Sequence, residues 1–261
     1  PAGLGCSRDA LRARLLDGNT IDSSLIYADM ARAALENQLD QAAVTLCQMT
    51  VKLRRSKYGS DHPATAECLV LLADALCCAG LYDDAIPVLQ EALATSASAV
   101  GQETGLAADI LSSMGQVLHA QDKLEDAEET YAKAVEVYGC LSNEDNVKVA
   151  ALYSNMSDLY KNKEMFPESI RMQEESVAII ERLYGHEHLR SVAARARLGV
   201  VMKLLGKSEA EQGNIMIRDS VAVLRGTPKR RMNNALGQFL IDIEDEMSSV
   251  GDIGEGSFIS G

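Results

Sequence analysis

Five small residues, Ala31, Ala73, Gly115, Ser157 and Gly199, stand 42 positions apart in a chain of 261 residues. Each follows a large apolar residue: Met30, Leu72, Met114, Met156 and Leu198. Three positions further on come Ala34, Leu76, Leu118, Tyr160 and Met202. A second small series, Ala43, Ala85, Ala127 and Ser169, trails the first by twelve residues. Such a register marks one supersecondary unit repeated about five times. A unit of this size buries its apolar face only against its neighbours, so the chain is expected to fold as a solenoid. Solenoids expose long surfaces that hold other proteins.

Each unit reads as two helices. In the second, Leu69, Leu72, Ala73 and Leu76 form one apolar stripe of a helix over about Pro63 to Ala79. Ala85, Leu89, Ala92 and Leu93 form the matching stripe of a partner helix over about Asp84 to Ser96, with Pro87 in its first turn. Gly80-Leu81-Tyr82-Asp83 makes the turn between them. Small residues at Ala73 and Ala85 let the two backbones come close. Glycines near the multiples of the repeat, Gly59, Gly101 and Gly185 with Gly139 displaced, end the second helices.

These patterns divide the chain into units 22–60, 61–102, 103–146, 147–187 and 188–226. The fifth is degenerate: Ala210 comes one residue early, and Glu211 and Arg218 occupy the expected small positions. Residues 1–21 form an N-terminal flank with a short helical pattern from Asp9 to Leu16. Thr227-Pro228 opens a helix over 227–247, with Met232, Leu236, Phe239, Leu240, Ile243 and Met247 on one face. It is expected to cap the last repeat, followed by a mobile tail over 248–261.

Composition narrows the function classes. A net charge of −13 disfavours nucleic acid and anionic membrane surfaces as partners. No apolar run is long enough to span a membrane, so no direct membrane insertion is expected. The six cysteines form no CxxC pair and read as reduced, mostly core thiols of an intracellular protein, in the cytoplasm or an organelle interior. The chain opens on Pro1, which leaves a cleaved targeting segment open. No phosphate loop, nucleophile elbow or His-Glu-x-x-His helix occurs, so no catalytic residue, cofactor or metal site is assigned. His62 and His186 read as supports of the linker turns.

The repeat resembles the tetratricopeptide repeat, which has a large residue, a small one, a large one three later, and Ala early in the second helix. The usual length is about 34 residues. The longer repeat here, with Tyr58-Gly59-Ser60-Asp61-His62-Pro63 and Tyr184-Gly185-His186-Glu187-His188-Leu189 as linkers, resembles kinesin light chains and their relatives. So does Tyr153-Ser154-Asn155-Met156-Ser157. The resemblance implies an all-α, right-handed superhelical solenoid whose first helices line a concave face.

Groove residues are then expected two and three before each small residue and one and four after it. The polar members are Asp29 and Arg32; Asp74; Gln116 and His119; Asn155, Asp158 and Lys161; and Arg197 and Lys203. Ala28, Ser154 and Ala196 fall on the same face. The face runs from apolar and acidic to polar and basic, a gradient that could orient an extended peptide. The plain alternative is a solvated helix face without a ligand. Of the two-carboxylate clamp found in chaperone-binding members, only Asn155 and Arg197 have counterparts, so that role is not expected. Two readings stay open: a scaffold or adaptor that binds partner proteins or peptides, and a structural subunit of a large multiprotein complex, in an organelle or elsewhere.

Overall fold

A computed structural model describes residues 23–100, 104–141, 147–205 and 207–226. These residues form ten α-helices and no strand. The proposed N-terminal flank, capping helix and tail, and Gly101, lie outside the described residues. The chain divides into two compact units, the first ending at Glu144 and the second starting at Asp145.

Unit 1 holds α1 (Ser23–Glu36), α2 (Asp40–Tyr58), α3 (Pro63–Cys78), α4 (Tyr82–Val100), α5 (Gly105–Ala120) and α6 (Leu124–Cys140). Each helix packs on the next, and α3 also lies against both α1 and α5. The small residues sit at the crossings. Ala31, Ala43, Ala73, Ala85 and Ala127 are all 0% exposed. In the third hairpin Gly115 makes room for a large neighbour, because a Cβ there would lie 2.5 Å from the Tyr131 ring. Unit 2 holds α7 (Val147–Asn162), α8 (Phe166–Tyr184), α9 (Leu189–Leu205) and α10 (Lys207–Gly226), packed in sequence. At its first crossing the Ser157 hydroxyl donates to Ser169 O at 2.8 Å, and the Ser169 hydroxyl donates to Ser157 O at 2.7 Å.

The turns of the first four hairpins, from α1–α2 to α7–α8, are built alike. Gln38, Gly80, Asp122 and Glu164, again 42 apart, have φ of 59°, 74°, 61° and 58°. The next residue then donates its N–H five residues back: Leu39 to Ala34 O, Leu81 to Leu76 O, Lys123 to Leu118 O and Met165 to Tyr160 O, at 2.8–3.0 Å. This is the left-handed helix ending that satisfies last-turn carbonyls. Only Gly80 announces it in the sequence.

Three sequence expectations are corrected. Pro87 is the sixth residue of α4 rather than part of its first turn, because the helix starts at Tyr82. The missing N–H is therefore an interior one. Gly139 lies inside α6, which ends at Cys140, and does not terminate it. In the last hairpin, Glu211 and Arg218 are exposed, and the close approach falls on Gly213, two residues after the expected position. A Cβ on Gly199 would lie 2.7 Å from Gly213 O, and one on Gly213 2.5 Å from Gly199 O.

Candidate binding face of the first helices

In unit 1 the predicted residues lie on α1, α3 and α5. Arg32 Nη1 lies 3.3 Å from Asp29 Oδ1, one turn along α1. Asp74 is half-buried on α3, close enough to Asp109 on α5 for that carboxylate to raise the cost of charging Asp74. Burial above all, and Asp109 second, push the Asp74 carboxyl up to about 6. Asp109 accepts a hydrogen bond from the Tyr138 hydroxyl, and burial with this bond pushes the phenol up. The thiols nearby are also hard to ionise. Burial first, then Cys68 and Asp74, push Cys47 up to about 12, and burial with Asp74 pushes Cys77 up to about 11. Gln116 is exposed and His119 half-buried on α5.

In unit 2 the Lys161 ammonium lies 3.0 Å from Asp158 Oδ1 on α7. Asn155 is half-buried one residue after Ser154. On α9, Arg197 is exposed, and its Nη1 donates to Ser154 Oγ at 3.2 Å. Lys203 is half-buried on the same helix. One expectation is corrected: the position three before the small residue is interior in three repeats. Ala28, Ser154 and Ala196 are 3%, 8% and 0% exposed. A helix flanked on both sides has a narrower free face than the sequence pattern allows.

The linkers hold residues whose roles the sequence left partly unread. Tyr58 stacks on His62 with ring centroids 4.9 Å apart, and Tyr184 on His188 at 4.8 Å. Each imidazole Nδ1 accepts a backbone N–H of the next helix, Ala64 at 3.1 Å and Arg190 at 3.2 Å. The hydroxyls of Thr65 and Ser191 donate back to Gly59 O and Gly185 O at 2.8 and 2.7 Å. The counterpart of His62 is thus His188; His186 sits outside this motif, with Nδ1 3.0 Å from Glu181 Oε2. The spacing of Tyr, Gly and His in both linkers was the signal for it. Among the described residues, no three His, Cys, Asp or Glu side chains gather as metal ligands. No described helix is long and apolar enough to cross a membrane.

Paired helices crossing at small residues, turned at one repeated left-handed position, define a helical-repeat protein. The chain belongs to the tetratricopeptide repeat family, whose model matches residues 22–98, 72–139 and 148–212. The fold is similar to a kinesin light chain-type protein of Podosopora anserina with nearly identical repeats, at TM-score 0.63 and 18% identity over 82% of this chain and 100% of that one. It is also similar to the Rap conjugation gene regulator of plasmid pLS20 in complex with the Phr* peptide, at TM-score 0.62 and 13% identity over 99% of this chain and 71% of that one. By sequence, a clustered mitochondria protein homolog of Lodderomyces elongisporus is 28% identical over 125 residues, 48% of this chain. That stretch is 9% of the longer protein.

Proposed function

We propose that this chain is a non-catalytic adaptor whose first helices hold an extended segment of a partner protein. The observation that carries the reading is the charge those helices hold at repeated positions. In unit 1, Asp74 and Asp109 meet across α3 and α5. In unit 2, Arg197 is held by Ser154, with Asn155, Lys161 and Lys203 on the same two helices. A cationic side chain of a partner suits the first, and an acidic one the second. The net charge of −13 is in keeping with protein partners rather than nucleic acid. The Phr* peptide in the Rap structure supports peptide capture by this architecture.

The test is selection of displayed random dodecapeptides against the full chain. The enriched peptides are then titrated against Asp74→Asn, Asn155→Ala and Arg197→Ala. Loss of affinity in at least one variant is expected, and unchanged affinity in all three would move the site elsewhere.

A second reading, a structural subunit of a large complex, draws on exposed apolar residues. On α10, Ile215 and Val223 are 50% and 48% exposed, eight residues apart and so on one side of the helix. The match to a small part of a much longer protein named for clustered mitochondria is in keeping with it. Peptides that fail to bind, together with loss of co-assembly in Ile215→Asp, would favour this reading.

A further inference from the structure

In unit 1 the residue after each left-handed turn position is Leu39, Leu81 or Lys123. Each gives its C=O to the first bond of the next helix, taken by the N–H of Ala43, Ala85 and Ala127 at 2.9–3.2 Å. That is the N-cap position, where a side-chain oxygen ordinarily serves an open N–H of the first turn. A leucine offers no such oxygen. Leu39 and Leu81 are 55% and 40% exposed, and Leu39 is the most exposed large apolar side chain among the described residues. A left-handed helix ending favours an apolar contact with the turn before it. Lys123 holds the same position with a charged tip, so the ending does not itself call for an exposed leucine. Two leucines where a polar residue would serve the fold better point to a use outside the fold.

Both lie along one edge of unit 1, where the hairpin turns follow one another. Burial first, then the Asp40 carboxylate, holds the exposed Cys78 thiol above its usual range, so the first turn stands beside the end of α3. Gln121 Nε2 donates to Asp83 Oδ1 at 2.8 Å and joins the third turn to the second. The charge around the leucines has one sign. Glu36 and Asp40 lie within four residues of Leu39, Asp83 and Asp84 within four of Leu81, and no Lys or Arg does. The aspartates suit the helix N-termini that they open. Together with the leucines they also make an apolar strip bordered by negative charge.

Such a strip repels anionic lipid and acidic segments. It fits an apolar row with Lys or Arg on both sides. An extended segment turns alternate side chains away from its contact face, whereas an amphipathic helix borders its apolar stripe with its charges. We propose that the turn edge of unit 1, through Leu39 and Leu81, docks a basic amphipathic helix of a partner protein. This is a second surface, at the ends of the helices whose sides carry the peptide-capture reading, and it does not depend on that reading.

Three fluorescein-labelled peptides test it on the full chain: a Leu/Lys helix with its leucines on one face, the same composition scrambled, and the Leu/Glu counterpart of the first. The first is expected to bind about tenfold or more tighter than either other peptide, and to slow amide exchange at the turns holding Leu39 and Leu81. Leu39→Asp with Leu81→Asp should cut its affinity about tenfold while leaving the melting midpoint level or higher, because Asp serves as an N-cap. Non-specific attraction to an acidic chain predicts the opposite sign, since two added carboxylates would strengthen it. Asp40→Asn with Asp84→Asn should weaken binding several-fold at low salt and less at high salt. Equal binding of the scrambled peptide, unchanged affinity in the leucine variant, or slowed exchange elsewhere would overturn the proposal. So would binding to vesicles of phosphatidylcholine and phosphatidylglycerol that the leucine variant loses, which would give the edge to a membrane. A concentration-dependent dimer lost in that variant would give it to a second copy of the chain, with the same consequence.

Discussion

The phenol ring of Tyr58 lies over the imidazole of His62, centroids 4.9 Å apart and planes 26° from parallel, while His62 Nδ1 caps the first turn of α3 through Ala64 N–H. The same pair recurs at Tyr184 and His188, with planes 23° apart. The glycine between them makes the geometry reachable: Gly59 and Gly185 sit at φ 93° and 83°, where a side chain would be strained. One short linker thus ends a helix, turns, and starts the next. His62→Ala removes both an N-cap acceptor and a ring contact, and should cost about 1 kcal/mol. Urea unfolding of Tyr58→Ala, His62→Ala and the double variant should give a coupling of about 0.5–1.5 kcal/mol. Additive losses would mean the stack contributes nothing beyond the cap.

The left-handed turns offer a test with both signs. Glu164 occupies at φ 58° a conformation that glycine reaches freely. Its side chain is exposed, so little packing is lost on its removal. Glu164→Gly should therefore stabilise the chain or leave it unchanged, within roughly 1 kcal/mol. Gly80→Ala should destabilise it by about 1 kcal/mol, since φ there is 74°. If both substitutions shift the melting midpoint downward by the same amount, backbone strain does not govern these turns.

Much of this architecture is legible in the chain because a helix crossing is a local, repeated demand. Ala31, Ala73 and Ser157 had to be small for their partners to approach, and they are buried as the spacing implies. The last crossing is less legible because it depends on where α10 enters relative to α9. Gly213 meets Gly199 in place of Glu211. The turns hid for a different reason: Gln38, Asp122 and Glu164 are ordinary residues in an unusual conformation, and only backbone geometry reveals it. The candidate face was half legible. Spacing finds Arg197, but its partner Ser154 is bonded in turn to Gln173 on α8, at a position that other hairpins fill with apolar residues.

The Gly199–Gly213 contact should be the least forgiving point in unit 2. Both hypothetical Cβ atoms would strike backbone carbonyl oxygens, at 2.7 and 2.5 Å, which cannot swing aside as a side chain can. Gly213→Ala should force α9 and α10 apart and cost about 1–3 kcal/mol or more by overpacking. Ala127→Leu, at a 0% exposed crossing in unit 1, should be destabilising by a similar amount. Amide hydrogen exchange would localise each effect: faster exchange in α9 and α10 for the first, in α5 and α6 for the second. Uniform exchange changes would mean that the crossings do not act locally.

Asp74 links stability to pH in the direction opposite to a salt-bridged carboxylate. Burial, with Asp109 nearby, pushes its carboxyl from an ordinary 3.8 up to about 6. Between those values the folded chain keeps a proton that the unfolded chain has released. The folded state is therefore favoured by acid across that window, and this contribution falls as pH rises from about 4 to about 6. Above the window the charged carboxylate remains as a standing cost. Asp74→Asn keeps the shape and removes the charge, so it should stabilise the chain at about pH 7 by roughly 1–2 kcal/mol after allowance for solvent screening. At about pH 4 the two proteins should differ little, since both then carry a neutral side chain. Urea midpoints at the two pH values measure the difference directly. An equal gain at both would show that the substitution acts through packing, and that the carboxyl next to Asp109 is not held protonated by its surroundings.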